Sequence, residues 1–138
     1  MYSFPHPQAI FDGGGIPFFK RAAGNYSSGT NIAVIDYLVF QNRVLHLKQI
    51  YALIALGGTS GEGYVYFSIA DVNNNELARI AQHTVPFNAT PDRINFSQTI
   101  DVLIPSNYKL RVFVVNTRDV SVYMEAHVCG IEYKVFRS

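Results

Sequence analysis

Ile94-Asn-Phe-Ser-Gln-Thr-Ile-Asp-Val-Leu-Ile104, the turn Pro105-Ser-Asn107, and Tyr108-Lys-Leu-Arg-Val-Phe-Val-Val-Asn116 form two apolar runs around one reversal. In the first run Ile94, Phe96, Ile100, Val102 and Ile104 fall on one face, and Arg93, Asn95, Ser97, Thr99 and Asp101 on the other. In the second, Tyr108, Leu110, Val112 and Val114 alternate with Lys109 and Arg111. A period of two is the mark of a half-buried strand. Pro-Ser-Asn between such runs is turn chemistry, so the pair predicts an antiparallel hairpin.

The same grammar extends both ways. After Asn116-Thr-Arg-Asp119, a last strand is expected to turn Val120, Val122, Met124, Ala126 and Val128 inward. Past Gly130 the apolar set shifts to Ile131, Tyr133 and Val135, with Glu132 and Lys134 outward, which predicts a β-bulge near Cys129 and Gly130. Upstream, strands are expected over 30–40, 43–56, 64–71 and 76–85, with Asn73-Asn-Asn75 closing a hairpin. Leu77, Ile80 and Ala81 also fit a helix face, but the hairpin signal before them favours a strand. About seven or eight short strands predict an all-β fold, an antiparallel β-sandwich or barrel.

Residues 1–29 differ from the rest. They hold Pro5, Pro7 and Pro17 and the break Gly13-Gly14-Gly15, and they show no regular element. Yet Phe4, Ile10, Phe11, Ile16, Phe18 and Phe19 are bulky and apolar, and leaving such side chains in water costs about 1.5–3 kcal/mol each. The chain therefore divides into an extended Gly/Pro/aromatic arm, 1–29, and a β-sandwich domain, 30–138. The arm lies either on its own sandwich as an extra edge strand or on a neighbouring subunit. In the second case Phe4, Ile10, Phe11, Phe18 and Phe19 are the partner contacts. The strand with two apolar faces, Ile50, Ala52, Ile54 and Leu56 on one and Tyr51, Leu53 and Ala55 on the other, is either central under the covering arm or part of a subunit interface.

Composition narrows the function. Charged residues make up 15% of the 138, the net charge is +1, and no run of Lys or Arg exists. Nucleic acid is thus not an expected partner, because phosphate neutralisation needs a basic stripe. Nor is a membrane, because a spanning helix needs about 20 apolar residues and the run from Ile50 to Leu56 is far shorter. The start lacks the basic and apolar regions of a signal peptide, and Cys129 is the single cysteine. Both point to assembly in a reducing cytoplasm, where the Asn-x-Ser/Thr tripeptides at Asn25, Asn88 and Asn95 are chance matches.

No catalytic constellation stands out, and neither an enzyme nor a cofactor is expected. Gly58-Thr-Ser60-Gly-Glu62 lacks the final glycine of a nucleophile elbow. Neither glycine cluster supplies Gly-Lys-Ser/Thr for a phosphate loop. Asp71-Val-Asn73-Asn-Asn75 begins like a calcium loop but has Glu76 where Gly is required and Gln82 where Glu is required. His6, His46, His83 and His127 have no metal-ligand spacing.

The closing segment, Ile104 to Asn116 and Val128-Cys-Gly-Ile-Glu-Tyr133, resembles the end of small jelly-roll virion proteins of tailed bacteriophages. The shared pattern is a Pro-turn, a strand, an Asn-bearing loop and a last strand with a Gly-Ile-Glu-Tyr-like stretch. The resemblance covers some 30 residues. It implies a β-sandwich of jelly-roll type and a capsid cement or decoration protein, located in the virion. Its partners would be itself, as a dimer or trimer, and the major capsid protein or another virion protein. The alternatives are a tail or connector component, or a glycan-binding module stacking sugars on Tyr64, Tyr66 and Tyr123.

Overall fold

The computed structural model describes residues 15–55, 57–85 and 93–135. Eight strands follow in order: β1 (Ile16–Tyr26), β2 (Asn31–Leu38), β3 (Arg43–Ala55), β4 (Gly63–Ala70), β5 (Glu76–Val85), β6 (Arg93–Pro105), β7 (Lys109–Asn116) and β8 (Val122–Lys134). They form two four-stranded sheets, β1-β8-β3-β6 and β2-β7-β4-β5, with every neighbour antiparallel. Consecutive strands fall in opposite sheets except at the β4–β5 hairpin, and this strand order is that of a jelly roll. The all-β sandwich expected from the alternation is what the chain forms.

Alternation accounts for the core. Leu45, Leu47, Ile50, Ala52 and Ile54 of β3 meet Val65 and Phe67 of β4, Leu110, Val112 and Val114 of β7, and Val122, Met124, Ala126 and Val128 of β8. Ile94, Phe96, Ile100 and Val102 pack against this cluster and Ile104 lies within it, as their shared parity predicts. Val120 is the exception in the last strand. It sits before β8 and is 40% exposed.

The bulge is at the expected place but on the neighbouring strands. β8 keeps its parity throughout, pairing with β1 without a break. The register shift lies in β3, between Leu47 and Gln49, opposite Gly130 and Cys129. Lys48 is the extra residue, and it moves the inward set of β3 from 45 and 47 to 50, 52 and 54. β6 takes up a further residue beside it. Gly130 is required there because a Cβ would stand 2.0 Å from the His46 carbonyl oxygen. Hence Ile131 and Tyr133 do not turn inward. Glu132 does, at 7% exposure.

The described part of the arm takes the first of the two placements expected for it, the edge strand of its own sandwich. Residues 16–26 form a regular strand, the edge of the first sheet, paired along its full length with β8. Phe18, Ala22 and Tyr26 face the core, while Phe19, Arg21 and Ala23 face out. The period of two is present here, but Pro17 and Gly24 hide it from a reading based on composition. Three turns rest on Asn42, Asn74 and Asn107 at φ 63, 68 and 69, the left-handed region that Asn tolerates.

Candidate functional site

The strand order sorts the connections. The β2–β3, β4–β5 and β6–β7 turns gather at one end, together with the start of β1 and the finish of β8. Ten large apolar side chains are exposed among the described residues, and seven are at or near this end: Ile16, Leu38, Phe40, Val72, Leu77, Leu103 and Tyr108. Each of the three turns carries or adjoins one: Phe40, Val72 and Tyr108. Turns normally present polar groups to water, so an apolar residue at every turn of one end makes this end the candidate site.

The end is held rigid from within. Asn107 N–H donates to Val39 O at 2.8 Å and Val39 N–H to Tyr108 O at 2.9 Å. Arg43 N–H donates to Ser106 Oγ at 3.0 Å, and Ser106 Oγ donates back to Arg43 O at 2.5 Å. Lys109 Nζ donates to Asn74 Oδ1 at 2.8 Å, which fixes the β4–β5 turn. Beneath the surface, Tyr37 packs on Phe18 (ring centroids 4.8 Å) and Phe40 (6.5 Å). Its hydroxyl donates to Glu132 Oε2 at 2.5 Å, and Arg43 Nη1 donates to Glu132 Oε1 at 3.0 Å. Burial first, then the hydrogen bond to Glu132, push the Tyr37 hydroxyl up to about 12. The buried carboxylate is thus paired and hydrogen-bonded, which is what burial of a charge demands. Between the β2–β3 and β6–β7 turns lies an open cleft of about 400 Å³ lined by Gln41, Asn42, Val44, Pro105, Asn107 and Val135, among others.

The opposite end is polar. Arg118, only 3% exposed, reaches across the glycine loop. Its Nε, Nη1 and Nη2 donate to the carbonyls of Gly57 (2.7 Å), Gly61 (2.8 Å) and Gly58 (3.0 Å). Asp119 accepts from the Thr59 amide and hydroxyl, both at 2.9 Å, and these bonds hold its carboxyl below the usual range. Asn116, fully buried, donates to Tyr26 O and Val120 O and accepts from Arg118 N–H. The glycine loop is therefore a stitched structural corner.

The expected contact residues separate. Phe4, Ile10, Phe11 and Leu56 lie outside the described residues. Phe18 is in the core at 7% exposure and is closed to a partner, whereas Phe19 is 59% exposed on the outer face of the first sheet. Ile50 and Ile54 are core, so β3 does not offer two free faces. Tyr51 and Leu53 occupy the outer face, where Tyr51 packs on His127 at 4.8 Å between ring centroids.

On that face Glu125, His127 and Cys129 stand in a column. His127 Nε2 lies 3.0 Å from Glu125 Oε1, and Arg21 Nε donates to it at 3.2 Å. Tyr123 donates to Glu125 at 2.6 Å, the foremost cause of that carboxyl's lowered pKa. Among the described residues no hydrogen bond joins Cys129 to His127. No group of three or more His, Cys, Asp or Glu among them is placed to hold a metal.

The glycan-stacking candidates also divide. Tyr64 and Tyr66 share the outer face of the second sheet, 6.3 Å apart, and Tyr66 stacks on Phe113 at 4.7 Å. Tyr123 is on the other sheet. Arg79 lies 3.8 Å over the Tyr66 ring and Arg111 4.8 Å over Phe113, so Tyr66 is enclosed between Phe113 and a guanidinium.

No family model and no curated protein matches this chain. Among solved structures, a chain from Bacillus endospore appendages, which form a family of disulfide-linked pili, superposes with a TM-score of 0.48 at 9% identity. That match covers 90% of this chain and 93% of the other. The structure of infectious bursal disease virus, Gx strain, gives a TM-score of 0.37 at 7% identity, covering 88% of this chain and 37% of that one. Both similarities are distant, and the functional argument rests on this chain's own residues.

Sequence reasoning missed the apolar end, Phe113, Arg118 and the inward Glu132. The apolar end did leave a signal: Phe40 before Gln41-Asn42, Val72 inside Asp-Val-Asn-Asn-Asn, and Tyr108 after Pro-Ser-Asn.

Proposed function

We propose that this chain is a structural protein of a virion, a capsid cement or decoration protein, and that it works by binding rather than catalysis. It assembles with copies of itself and with the major capsid protein or another virion protein. The observation that carries this reading is the apolar end: seven exposed apolar side chains on or beside three turns, in a chain with only 15% charged residues. Seated across capsomer junctions, such a protein adds buried surface at each junction and stabilises the assembled shell by mass action. The test is cosedimentation with emptied capsid shells of tailed bacteriophages, paired with light scattering of the protein alone. Self-association together with shell binding supports the proposal. A chain that neither self-associates nor sediments with any shell refutes it.

A second reading, glycan binding, has the Tyr64–Tyr66–Phe113 ring platform in its favour. Arg79 covers the ring a sugar would need, so binding requires its displacement. A glycan array decides: no signal across a broad panel removes this reading.

A further inference from the structure

We propose that the apolar end of one copy is the docking site for residues 1–14 of a second copy. The inference rests on the self-assembly reading above and names its contact. The chain enters β1 at this same end, at Gly15 and Ile16. At Gly15 a Cβ would stand 2.5 Å from Ile131 Cγ2 and 2.7 Å from Tyr133 Cε1, so the entry point is packed against β8. The segment before it carries Phe4, Ile10 and Phe11 and one charged residue, Asp12. The cleft it would fill is equally poor in charge: Val44, Pro105 and Val135 with Gln41, Asn42 and Asn107, and Arg43 as its one ionic group. A cleft of about 400 Å³ is in the size range of ligand pockets and takes aromatic side chains.

The reach of the segment permits a second copy, and the self-assembly reading calls for one. Three strand spacings of roughly 4.8 Å make the first sheet about 14 Å wide at this end. Fourteen extended residues span up to about 48 Å. Pro5 and Pro7 disfavour helical backbone at Phe4 and His6. A segment of that length, if extended, exceeds the width of its own sheet and has the reach to meet a neighbour's end. Phe40, at 60% exposure, is the principal apolar anchor offered to it.

The test uses two full-length chains, both with Cys129→Ser. One carries Ala9→Cys and the other Gln41→Cys, and they are mixed with a short bis-maleimide. The proposal expects a covalent heterodimer, and adding Phe40→Asp to the second chain should cut its yield at least tenfold. Circular dichroism of each variant confirms that the fold persists. A cross-link that forms only when both cysteines are in one chain puts the segment on its own end and overturns the proposal. No cross-link in either format also overturns it. Light scattering separates the two levels: an oligomer without the cross-link leaves the self-assembly reading standing and removes this contact, whereas a monomer at every concentration removes both.

Discussion

Replacing Arg118 by Ala should destabilise the fold well beyond what a surface arginine costs. The side chain is 3% exposed and its three nitrogens donate to three carbonyls at 2.7, 2.8 and 3.0 Å. A hydrogen bond to a charged group is worth about 1.5–3 kcal/mol, so three bonds set a gross figure of roughly 5–9 kcal/mol. Two effects reduce it. The glycine carbonyls sit in a surface loop and regain water once the guanidinium leaves. Burial of the guanidinium itself costs several kcal/mol, which the mutant no longer bears. The net loss should be about 2–4 kcal/mol, or a fall in Tm of roughly 6–14 °C for a domain of this size. Arg118→Lys should recover little, because one ammonium cannot reproduce a three-pronged fork. Thermal unfolding followed by circular dichroism reads both variants. A fall of less than about 2 °C for Arg118→Ala, or full recovery by Lys, would refute the idea that this residue holds the corner together.

Three further outcomes follow from the packing. Gly130→Ala drives a Cβ to 2.0 Å from the His46 carbonyl oxygen, so the β3 bulge must move; urea denaturation should show a loss of about 3 kcal/mol. Phe18→Ala should cost about 3–5 kcal/mol while Phe19→Ala costs under about 1, and equal losses would return β1 to the status of a loose arm. His83 packs on Phe96 at 4.6 Å, and burial lowers its pKa below the ordinary 6.5. The unfolded chain then protonates first, so the stability His83 contributes is complete above about pH 6.5 and is lost as pH falls through its folded value. Midpoints measured from pH 7.5 down to pH 5 should fall less steeply in His83→Gln, and identical slopes would count against a buried neutral imidazole.

The fold was legible because burial is written in period two wherever one sheet face is dry, as from Ile94 to Ile104. The phase change near Gly130 was legible too, but not its bearer. A glycine permits close approach of another backbone as readily as it permits a bulge, and only the pairing of Leu47 with Gly130 shows which occurred. Glu132 was read outward because a carboxylate seldom faces a core. Its partners, Tyr37 and Arg43, are 95 and 89 residues away in sequence and are brought together by the jelly-roll crossovers. The apolar end was hidden for the same reason. Phe40, Val72 and Tyr108 are single residues in three separate turns, and strand order alone makes them neighbours. Of the bulky apolar residues of the arm that are described, Phe18 finds cover inside its own sandwich, whereas Ile16 and Phe19 are exposed.

The central claim is that this chain assembles through its apolar end, and light scattering of the full-length protein from low micromolar to millimolar concentration tests it most directly. The account predicts a discrete species at a small multiple of 15.4 kDa, returned toward 15.4 kDa by Phe40→Asp with the melting temperature preserved. A mass of 15.4 kDa at every concentration, or an oligomer indifferent to Phe40→Asp, would contradict it.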